Sequence, residues 1–242
     1  MDARRLQYLK AMDVDVWVRR DLPDPDVAPA MSALQAPAAM PVTATTNDAA
    51  ALQADWDELA NAVRACTLCS LHATRTQTVF GVGNRHAEWM VIGEAPGADE
   101  DRQGEPFVGR AGQLLNAMLQ AMGFPREQVY IANVLKCRPP SNRDPKPEEA
   151  ASCAPYLARQ IELVNPRVIL CVGRIAAQNL LATDTPIGKL RGRVHRLGAQ
   201  QRPVVVTYHP AYLLRSPGEK RKAWDDLQLA LRTYAATSGP AA

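Results

Sequence analysis

The amino-acid sequence predicts an α/β fold, a three-layer α/β/α sandwich with a central, mainly parallel four-stranded sheet. Four short segments, 87–93, 129–134, 167–173 and 203–209, are almost continuously apolar, as expected of strands that are buried on both faces. Amphipathic segments with helical spacing separate them, and this alternation indicates a parallel sheet covered by helices on both sides. The chain of 242 residues, 47% of them hydrophobic, is long enough to bury one full core.

The helices are predicted from the spacing of apolar residues and from the residues at their ends. Gly123 closes one helix, and Pro147 followed by two glutamates opens the next, since proline and acidic residues suit a first helical turn. The predicted helices cover 52–65, 110–122, 147–164, 175–182 and 218–235. In a parallel sheet, ligands bind at the carboxyl ends of the strands, so chemistry is expected in the residues that follow each strand.

The composition divides the chain into an N-terminal arm, a linker, the α/β domain and a short tail. The arm, residues 1–21, is amphipathic. Residues 22–51 contain five prolines and ten alanines without a periodic apolar face, which predicts a flexible linker. The α/β domain covers 52–236, and 237–242 are expected to form a disordered tail.

The charge distribution indicates a polyanionic partner. The net charge is only +3, yet the segment 185–222 has nine basic residues and one acidic residue. Such clustering is typical of a nucleic-acid-binding surface, and a solubilising surface explains the charge alone equally well. No segment is long and apolar enough for a membrane span, and the N-terminus lacks the apolar region of a secretory signal. We therefore expect a cytoplasmic protein.

Four of the five cysteines have the spacing of a metal site. Cys66 and Cys69 form a C-x-x-C pair, and Cys137 and Cys153 follow much later in the chain. Four thiolates in this pattern hold either zinc or an iron–sulfur cluster, and the spacing does not choose between them. A reducing cytoplasm disfavours a disulfide framework. Cys171 lies inside an apolar strand, which predicts a small buried hydrophobic residue.

Polar side chains follow three of the predicted strands. Glu94 comes after the first strand on a turn rich in glycine and proline, Asn133 ends the second strand, and His209 ends the fourth. A carboxylate can orient water or stabilise a cation, and a carboxamide offers a donor together with an acceptor. Each residue alone is more typical of a structural turn or a hydrogen-bonded position. Three of them at one edge of a sheet favour a functional site.

Three motifs place these residues in a more specific context. The motifs are GEAPGADEDRQGEPFVGRAG at 93–112, IANVLKCRPP at 131–140 and HPAYLLRS at 209–216. In this order, and with four cysteines at matching places, they resemble the motifs of family 4 uracil-DNA glycosylases, the iron–sulfur-containing type. The resemblance runs from about Cys66 to Leu231. It implies an enzyme that flips uracil out of DNA, hydrolyses its N-glycosidic bond and leaves an abasic site.

The resemblance also implies a role for each matching residue. Glu94 would position water and stabilise the sugar cation, and His209 would hydrogen-bond O2 of the departing uracil. Asn133 would pair with O4 and N3–H of uracil, which rejects cytosine. The other base-binding residues would be Phe107 as the stacking ring, Glu100 at the place of thymine's methyl group, and the backbone at Gly93. The cysteines Cys66, Cys69, Cys137 and Cys153 would hold a structural 4Fe–4S cluster.

Uracil-containing DNA is the partner that the motifs and the basic segment predict. Leu213 and Leu214 suit a wedge that enters the duplex while Arg215 holds a phosphate, and core packing is the alternative for the two leucines. The arm 1–21 faintly resembles the amphipathic segment at the start of the psi subunit of the bacterial clamp loader. That likeness implies a tether to the replication machinery, and a helix packed on the domain is the alternative. We expect a monomer that acts beside the nucleoid.

Other classes of protein share parts of this pattern. A non-catalytic iron–sulfur module that binds nucleic acid would not need Glu94, Phe107, Asn133 and His209 together, and an electron-transfer protein would not need the basic segment. A related glycosylase group has GEQPG and traps DNA covalently through a histidine in a basic insertion. This chain has GEAPG, and its segment 136–146 contains no histidine. A glycosylase that turns over is therefore the favoured hypothesis.

Overall fold

A computed structural model describes residues 53–237 of the chain. The predicted arm at 1–21 and linker at 22–51 lie outside the described residues, as does the predicted tail beyond its first residue. The predictions made for those segments therefore stay predictions.

One sheet forms the centre of the described part of the chain. Its strands are β1 (Val82–Gly83), β2 (Trp89–Gly93), β3 (Tyr130–Asn133), β4 (Val168–Val172), β5 (Val194–Leu197) and β6 (Arg202–Thr207). Their order across the sheet is β1-β3-β2-β4-β6-β5. β3, β2, β4 and β6 run parallel, whereas β1 and β5 pair antiparallel with the two outer members of this group.

Helices cover both faces of this sheet. They are α1 (Trp56–Ala65), α2 (Ala98–Gln103), α3 (Arg110–Ala121), α4 (Pro147–Val164), α5 (Arg174–Leu180), α6 (Ile187–Leu190), α7 (Pro210–Arg215) and α8 (Lys220–Thr237). Because side chains alternate along a strand, β2 sends Met90 and Ile92 into a core shared with α4, α5 and α6. Trp89 and Val91 enter the opposite core, which is shared with α3, α7 and α8. No helix in the range 53–237 has the length and apolar character to cross a bilayer.

The predicted fold class is confirmed, with two strands added at the edges. The four apolar segments are the four parallel strands, and each is fully buried. The expected number of strands was too small because β1 has only two residues and β5 has a partly exposed Val-His-Arg-Leu sequence. Edge strands contact the core on fewer sides than central ones, so they lack the continuous apolar character by which the others were found.

The boundaries of the long helices follow from their end residues. α4 has the predicted boundaries, with Pro147 in its first turn and Asn165 in a left-handed conformation at its end. The carboxylate of Glu149 accepts the Lys146 backbone N–H at 2.9 Å, which satisfies one of the unpaired groups of the first turn. α1 begins four residues later than expected, because the Asp55 side chain caps it by accepting from the N–H groups of residues 57 and 58.

The strand order brings the predicted chemistry to one place. β3 lies on one side of β2 and β4 on the other. The order in which the chain adds strands to the sheet therefore changes direction at β2. Such a point in an α/β sheet leaves a crevice at the carboxyl ends of the strands. The residues that follow β2, β3 and β6 border this crevice.

Candidate active site

A pocket of about 430 Å³ opens at the carboxyl ends of the parallel strands. Its lining includes Glu94, Glu100, Phe107, Asn133 and His209, so the structure brings five of the predicted site residues together. The volume is that of a small-ligand pocket. A larger cavity of about 580 Å³ runs along α4, but it is lined mainly by apolar side chains and by none of the predicted site residues. The smaller pocket is therefore the candidate active site.

Asn133 forms the floor of the pocket, and Gly93 lies beside it on β2 without lining the pocket. The β2–β3 register places them side by side, and a Cβ at Gly93 would lie 2.5 Å from Cζ of Phe107 and closer still to Oδ1 of Asn133. Only glycine leaves room for both side chains. Asn133 is 2% exposed, and its Oδ1 has no hydrogen-bond partner among the described residues. A buried acceptor without a donor costs about 1–3 kcal/mol, so this atom is suited to receive an N–H group from a ligand.

Phe107 is held in an unusual backbone conformation. Its φ angle is +56°, in the left-handed region that bulky residues rarely adopt. Arg126 fixes this turn from outside, donating to the carbonyl oxygens of Pro106 at 2.6 Å and Phe107 at 3.4 Å. Gly112 packs so closely that a Cβ there would overlap the Phe107 carbonyl. The ring is consequently buried and fixed, with its centroid 5.6 Å from that of His209 and the two planes 29° apart.

His209 is fixed in one tautomer by the start of α7. Its Nδ1 accepts a hydrogen bond from the Ala211 N–H at 3.1 Å. A neutral imidazole whose Nδ1 accepts has its proton on Nε2. Burial, together with the charge of Arg215, lowers the pKa of His209 to about 4. The ring is therefore neutral at physiological pH and offers Nε2–H as a donor.

Glu94 follows β2 as the sequence predicts, with its carboxylate in the pocket. Burial raises the pKa of Glu94 to about 7; the charge of Asp144 adds to this, and Arg174 opposes it. Asp144 and Arg174 form an ion pair of 2.6 Å. A carboxylate whose pKa is raised by burial at the mouth of a sheet is typical of a catalytic position.

Glu100 is held by the backbone of two turns. One carboxylate oxygen accepts from the N–H groups of Val108 at 3.0 Å and Gly109 at 3.3 Å, and the other accepts from Gly97 at 3.0 Å. These bonds join the start of α2 to the two residues that follow Phe107. Glu100 thus lines the pocket as a fixed wall, and it also fixes the segment that presents the aromatic ring.

The structure contradicts one part of the predicted DNA wedge. Leu213 is 1% exposed and packs in the core between the sheet, α3 and α8, so it cannot enter a duplex from this position. Helical periodicity buries this position of the short helix α7 and exposes its neighbours. Leu214 is partly exposed, and Arg215 is exposed and borders the pocket. The rim also has Tyr212, which is 37% exposed and which the sequence analysis did not select.

The four predicted metal ligands meet around one small cavity. Cys66, Cys69, Cys137 and Cys153 line it, although they are far apart in the chain. Burial raises the pKa of the Cys137 thiol, and Arg75, which donates to its Sγ at 3.0 Å, opposes this shift. Among the described residues, no three His, Cys, Asp or Glu side chains are spaced to hold a single metal ion. Cys171 lies apart from this group on β4, where it is completely buried as predicted.

A buried lysine lies between the cysteines and the pocket floor. Lys136 is 1% exposed, and its Nζ donates to the backbone oxygen of Asn133 at 2.8 Å and to Oε1 of Gln160 at 2.6 Å. It precedes Cys137 directly. Burial lowers the pKa of Lys136 to about 7, and the charges of Cys153 and Cys137 oppose this shift. Sequence reasoning missed Lys136 and Arg126, because a single basic residue in a loop carries no signal of what it will contact.

Comparisons with known proteins agree with this geometry. A model of the uracil DNA glycosylase superfamily matches residues 80–228. The chain is 50% identical to the type-4 uracil-DNA glycosylase of Archaeoglobus fulgidus over 167 residues, which are 66% of this chain and 84% of the relative. It is 40% identical to the type-4 enzyme of Pyrobaculum aerophilum over 181 residues, 72% of this chain and 92% of that one. With a type-5 enzyme of the same organism the identity is 31% over 175 residues, 65% and 75% of the two chains. The chain therefore belongs to the uracil-DNA glycosylase superfamily and, within it, to the type-4 family.

Proposed function

We propose that this protein excises uracil from DNA by hydrolysing the N-glycosidic bond, leaving an abasic site. The observation that carries the proposal is the pairing of opposite hydrogen-bonding groups in one pocket. Asn133 presents a buried acceptor without a donor, and His209 presents a donor whose orientation is fixed. Uracil has complementary groups, the donor N3–H and the acceptor O2, on adjacent ring positions. Phe107 supplies an aromatic surface beside them.

Base selection follows from the Asn133 carboxamide. Its Oδ1 accepts from N3–H of uracil, and its NH₂ group donates to O4. Cytosine presents an acceptor at N3 and an amino donor at position 4. The acceptor then faces Oδ1 and the donor faces the NH₂ group, so neither hydrogen bond can form. A site built to hydrogen-bond a ligand rejects an analogue that leaves its buried polar groups unpaired. We assign to Glu100 the exclusion of thymine's methyl group, because its carboxylate is fixed by three backbone bonds and cannot move aside.

His209 and Glu94 act on opposite sides of the breaking bond, His209 on the uracil and Glu94 on the sugar. When the bond between N1 and C1′ breaks, the electron pair stays on uracil, and the Nε2–H of His209 stabilises the negative charge at O2. The sugar becomes positively charged, and the Glu94 carboxylate stabilises this charge and orients the water that bonds to C1′. The water loses one proton as this bond forms, and the uracil anion takes one up, so the products are neutral uracil and an abasic sugar. Donors and charges placed in advance where charge develops are the largest source of rate enhancement in many enzymes.

We expect kcat/KM for uracil release to rise with pH through about 7. Burial raises the pKa of Glu94 to about 7, so below that pH the group is protonated and no longer stabilises a cation. His209 has a pKa of about 4 and stays neutral throughout this range. The measurement is the kcat/KM profile of the wild type from pH 5 to 9, since this ratio reports groups of the free enzyme. The Glu94→Gln variant should be slower and have no such limb.

The ion pair beside Glu94 supplies two controls of opposite sign. Asp144→Asn removes a negative charge and should move the limb to lower pH, whereas Arg174→Gln removes a positive charge and should move it to higher pH. Both side chains are exposed, 64% for Asp144 and 49% for Arg174, so water screens them and each shift should stay below about one pH unit. A limb that persists in Glu94→Gln would assign the titration to another group.

We further propose that Cys66, Cys69, Cys137 and Cys153 hold a 4Fe–4S cluster with a structural role. Two observations support a cluster: the four cysteines surround one cavity, and Arg75 donates to the sulfur of Cys137. Four thiolates suit zinc or an iron–sulfur cluster, and the resemblance of the motifs to those of the iron–sulfur-containing glycosylases favours the cluster. When bound, the cluster would cross-link the segment before β1 to α4 and to the loop after β3; glycoside hydrolysis requires no electron transfer from it.

The proposed activity is tested by cleavage of a labelled oligonucleotide with one uracil, followed by hot alkali. Substrates with U:G, U:A and T:G pairs and a single-stranded substrate are compared. We expect scission at uracil only, and its loss in Asn133→Ala. Intact DNA after incubation with iron-loaded wild type would instead favour a non-catalytic nucleic-acid-binding module of the same fold.

DNA as substrate also sets where we expect the protein to act. We propose that it works in the cytoplasm at the nucleoid, as a monomer. The tether to the replication machinery through residues 1–21 stays a prediction, since the arm lies outside the described residues.

A further inference from the structure

Tyr212 differs from the other exposed aromatic side chain of the described region. Tyr212 and Trp224 are 37% and 41% exposed, but only Tyr212 lines the pocket. It lies on the same short helix as Leu213, whose burial leaves Leu214 as the one partly exposed leucine of the predicted wedge. An exposed aromatic ring at the mouth of a site that receives a nucleotide has a specific use, because every nucleobase has a face on which such a ring can stack.

The Tyr212 ring is supported by a second ring from within the protein. The centroid of Tyr208 lies 5.0 Å away, with the planes 43° apart. The Arg191 guanidinium in turn lies 4.8 Å from the Tyr208 centroid. Arg191 is fixed by an ion pair of 2.8 Å with Asp226, a residue 1% exposed on α8. Tyr212 is thus the outer member of a series of contacting side chains that is fixed to the core, and this support from behind suits a platform better than a protruding wedge.

The charge around Tyr212 suits a phosphate backbone. Arg215 at the end of α7 and Lys220 and Arg221 at the start of α8 are all exposed. Aromatic side chains among exposed cations are the usual composition of surfaces that bind single-stranded nucleic acid, where cations contact phosphates and rings contact bases.

We propose that Tyr212 is the stacking platform for the nucleobase next to the extruded uridine in the same strand. The inference rests on the proposed uracil-excising function and adds a second base contact to it. When uridine enters the pocket, its neighbour loses a stacking partner, and the Tyr212 ring at the rim replaces that partner. Because the contact involves one strand only, it operates on single-stranded and double-stranded DNA alike.

The test removes the Tyr212 ring by mutation and the neighbouring base by an abasic analogue, first separately and then together. Single-stranded oligonucleotides contain uracil with natural neighbours, or with a tetrahydrofuran abasic analogue on the 5′ or 3′ side. KM and kcat are measured for the iron-loaded wild type, Tyr212→Ala, Tyr212→Phe and the exposed control Trp224→Ala. On natural neighbours we expect Tyr212→Ala to raise KM about tenfold, with Tyr212→Phe and Trp224→Ala unchanged. On one of the two abasic substrates, wild type and Tyr212→Ala should have equal KM values.

An equal loss by Tyr212→Ala on all three substrates, or no loss on any of them, would overturn the proposal. Fluorescence anisotropy with the same oligonucleotides and variants gives dissociation constants, from which the same comparison of ring removal and base removal can be made for binding alone. If the wild type binds but releases no uracil, the proposed function fails. The dissociation constants from anisotropy still decide whether Tyr212 contacts the neighbouring base.

Discussion

Replacement of His209 by alanine is expected to lower kcat for uracil release by a factor of about 10²–10³, the usual effect of losing one donor to a developing anion. The donor is defined by the structure: Nδ1 is occupied by the Ala211 N–H, so only Nε2–H can face the departing base. The effect should fall on kcat more than on KM, because the charge at O2 develops only as the bond breaks. Single-turnover assays with U:G duplex measure it directly.

The matched control is His86→Ala, which removes an exposed histidine outside the pocket and should leave kcat unchanged. A kcat loss of less than about threefold in His209→Ala would show that the uracil anion is stabilised by other groups. A loss of activity in both variants would indicate a general effect on folding, which thermal melts distinguish.

Replacement of Cys137 by serine is expected to remove most of the bound iron and its brown colour. Cys137 is 3% exposed and borders the common cavity, and Arg75 already donates to its sulfur. The cluster would cross-link segments that are far apart in the sequence, and loss of such a link frees the unfolded chain. We therefore expect the midpoint of thermal unfolding to fall by about 10 °C, which corresponds to about 3–4 kcal/mol for a domain of this size.

Cys171→Ala provides the control for this experiment. Cys171 is equally buried but lies on β4 and does not border the cavity, so its variant should keep its iron and its colour. Iron and sulfide analysis with absorption spectra measures both variants. A colourless wild type containing one zinc ion would contradict the cluster, and full iron occupancy in Cys137→Ser would exclude Cys137 as a ligand.

The sequence predicted the parts of the molecule that are continuous in the chain. Strands buried on both faces, and helices with marked ends such as α4, were found because local composition determines them. Glu94, Asn133 and His209 were found because each lies at the carboxyl end of a strand, and parallel strands end at the same edge. The family motifs then added Phe107 and Glu100, whose positions in α2 and the following turn carry no independent signal.

The remaining features depend on tertiary contacts that the sequence does not show. Leu213 and Tyr212 are adjacent in HPAYLLRS, and only the packing of α7 on the core determines that the leucine is buried and the tyrosine exposed. Arg126 lies nearly twenty residues after the turn that it holds. Lys136 contacts Gln160 on a different element. Each of these positions was set by the fold and not by a local pattern.

The conformation of Phe107 has a consequence for which substitutions this protein tolerates. The ring is positioned by a left-handed backbone, by Arg126 behind it and by the missing side chain of Gly112. A residue at 112 with any side chain would displace the Phe107 carbonyl and with it the ring. Gly112 does not line the pocket, yet we expect substitutions there to impair uracil binding as substitutions of the pocket residues do. The set of positions at which mutation abolishes uracil recognition is therefore larger than the set of residues that contact the base. A scan for inactivating mutations should identify the residues that position the pocket residues as well as the pocket residues themselves.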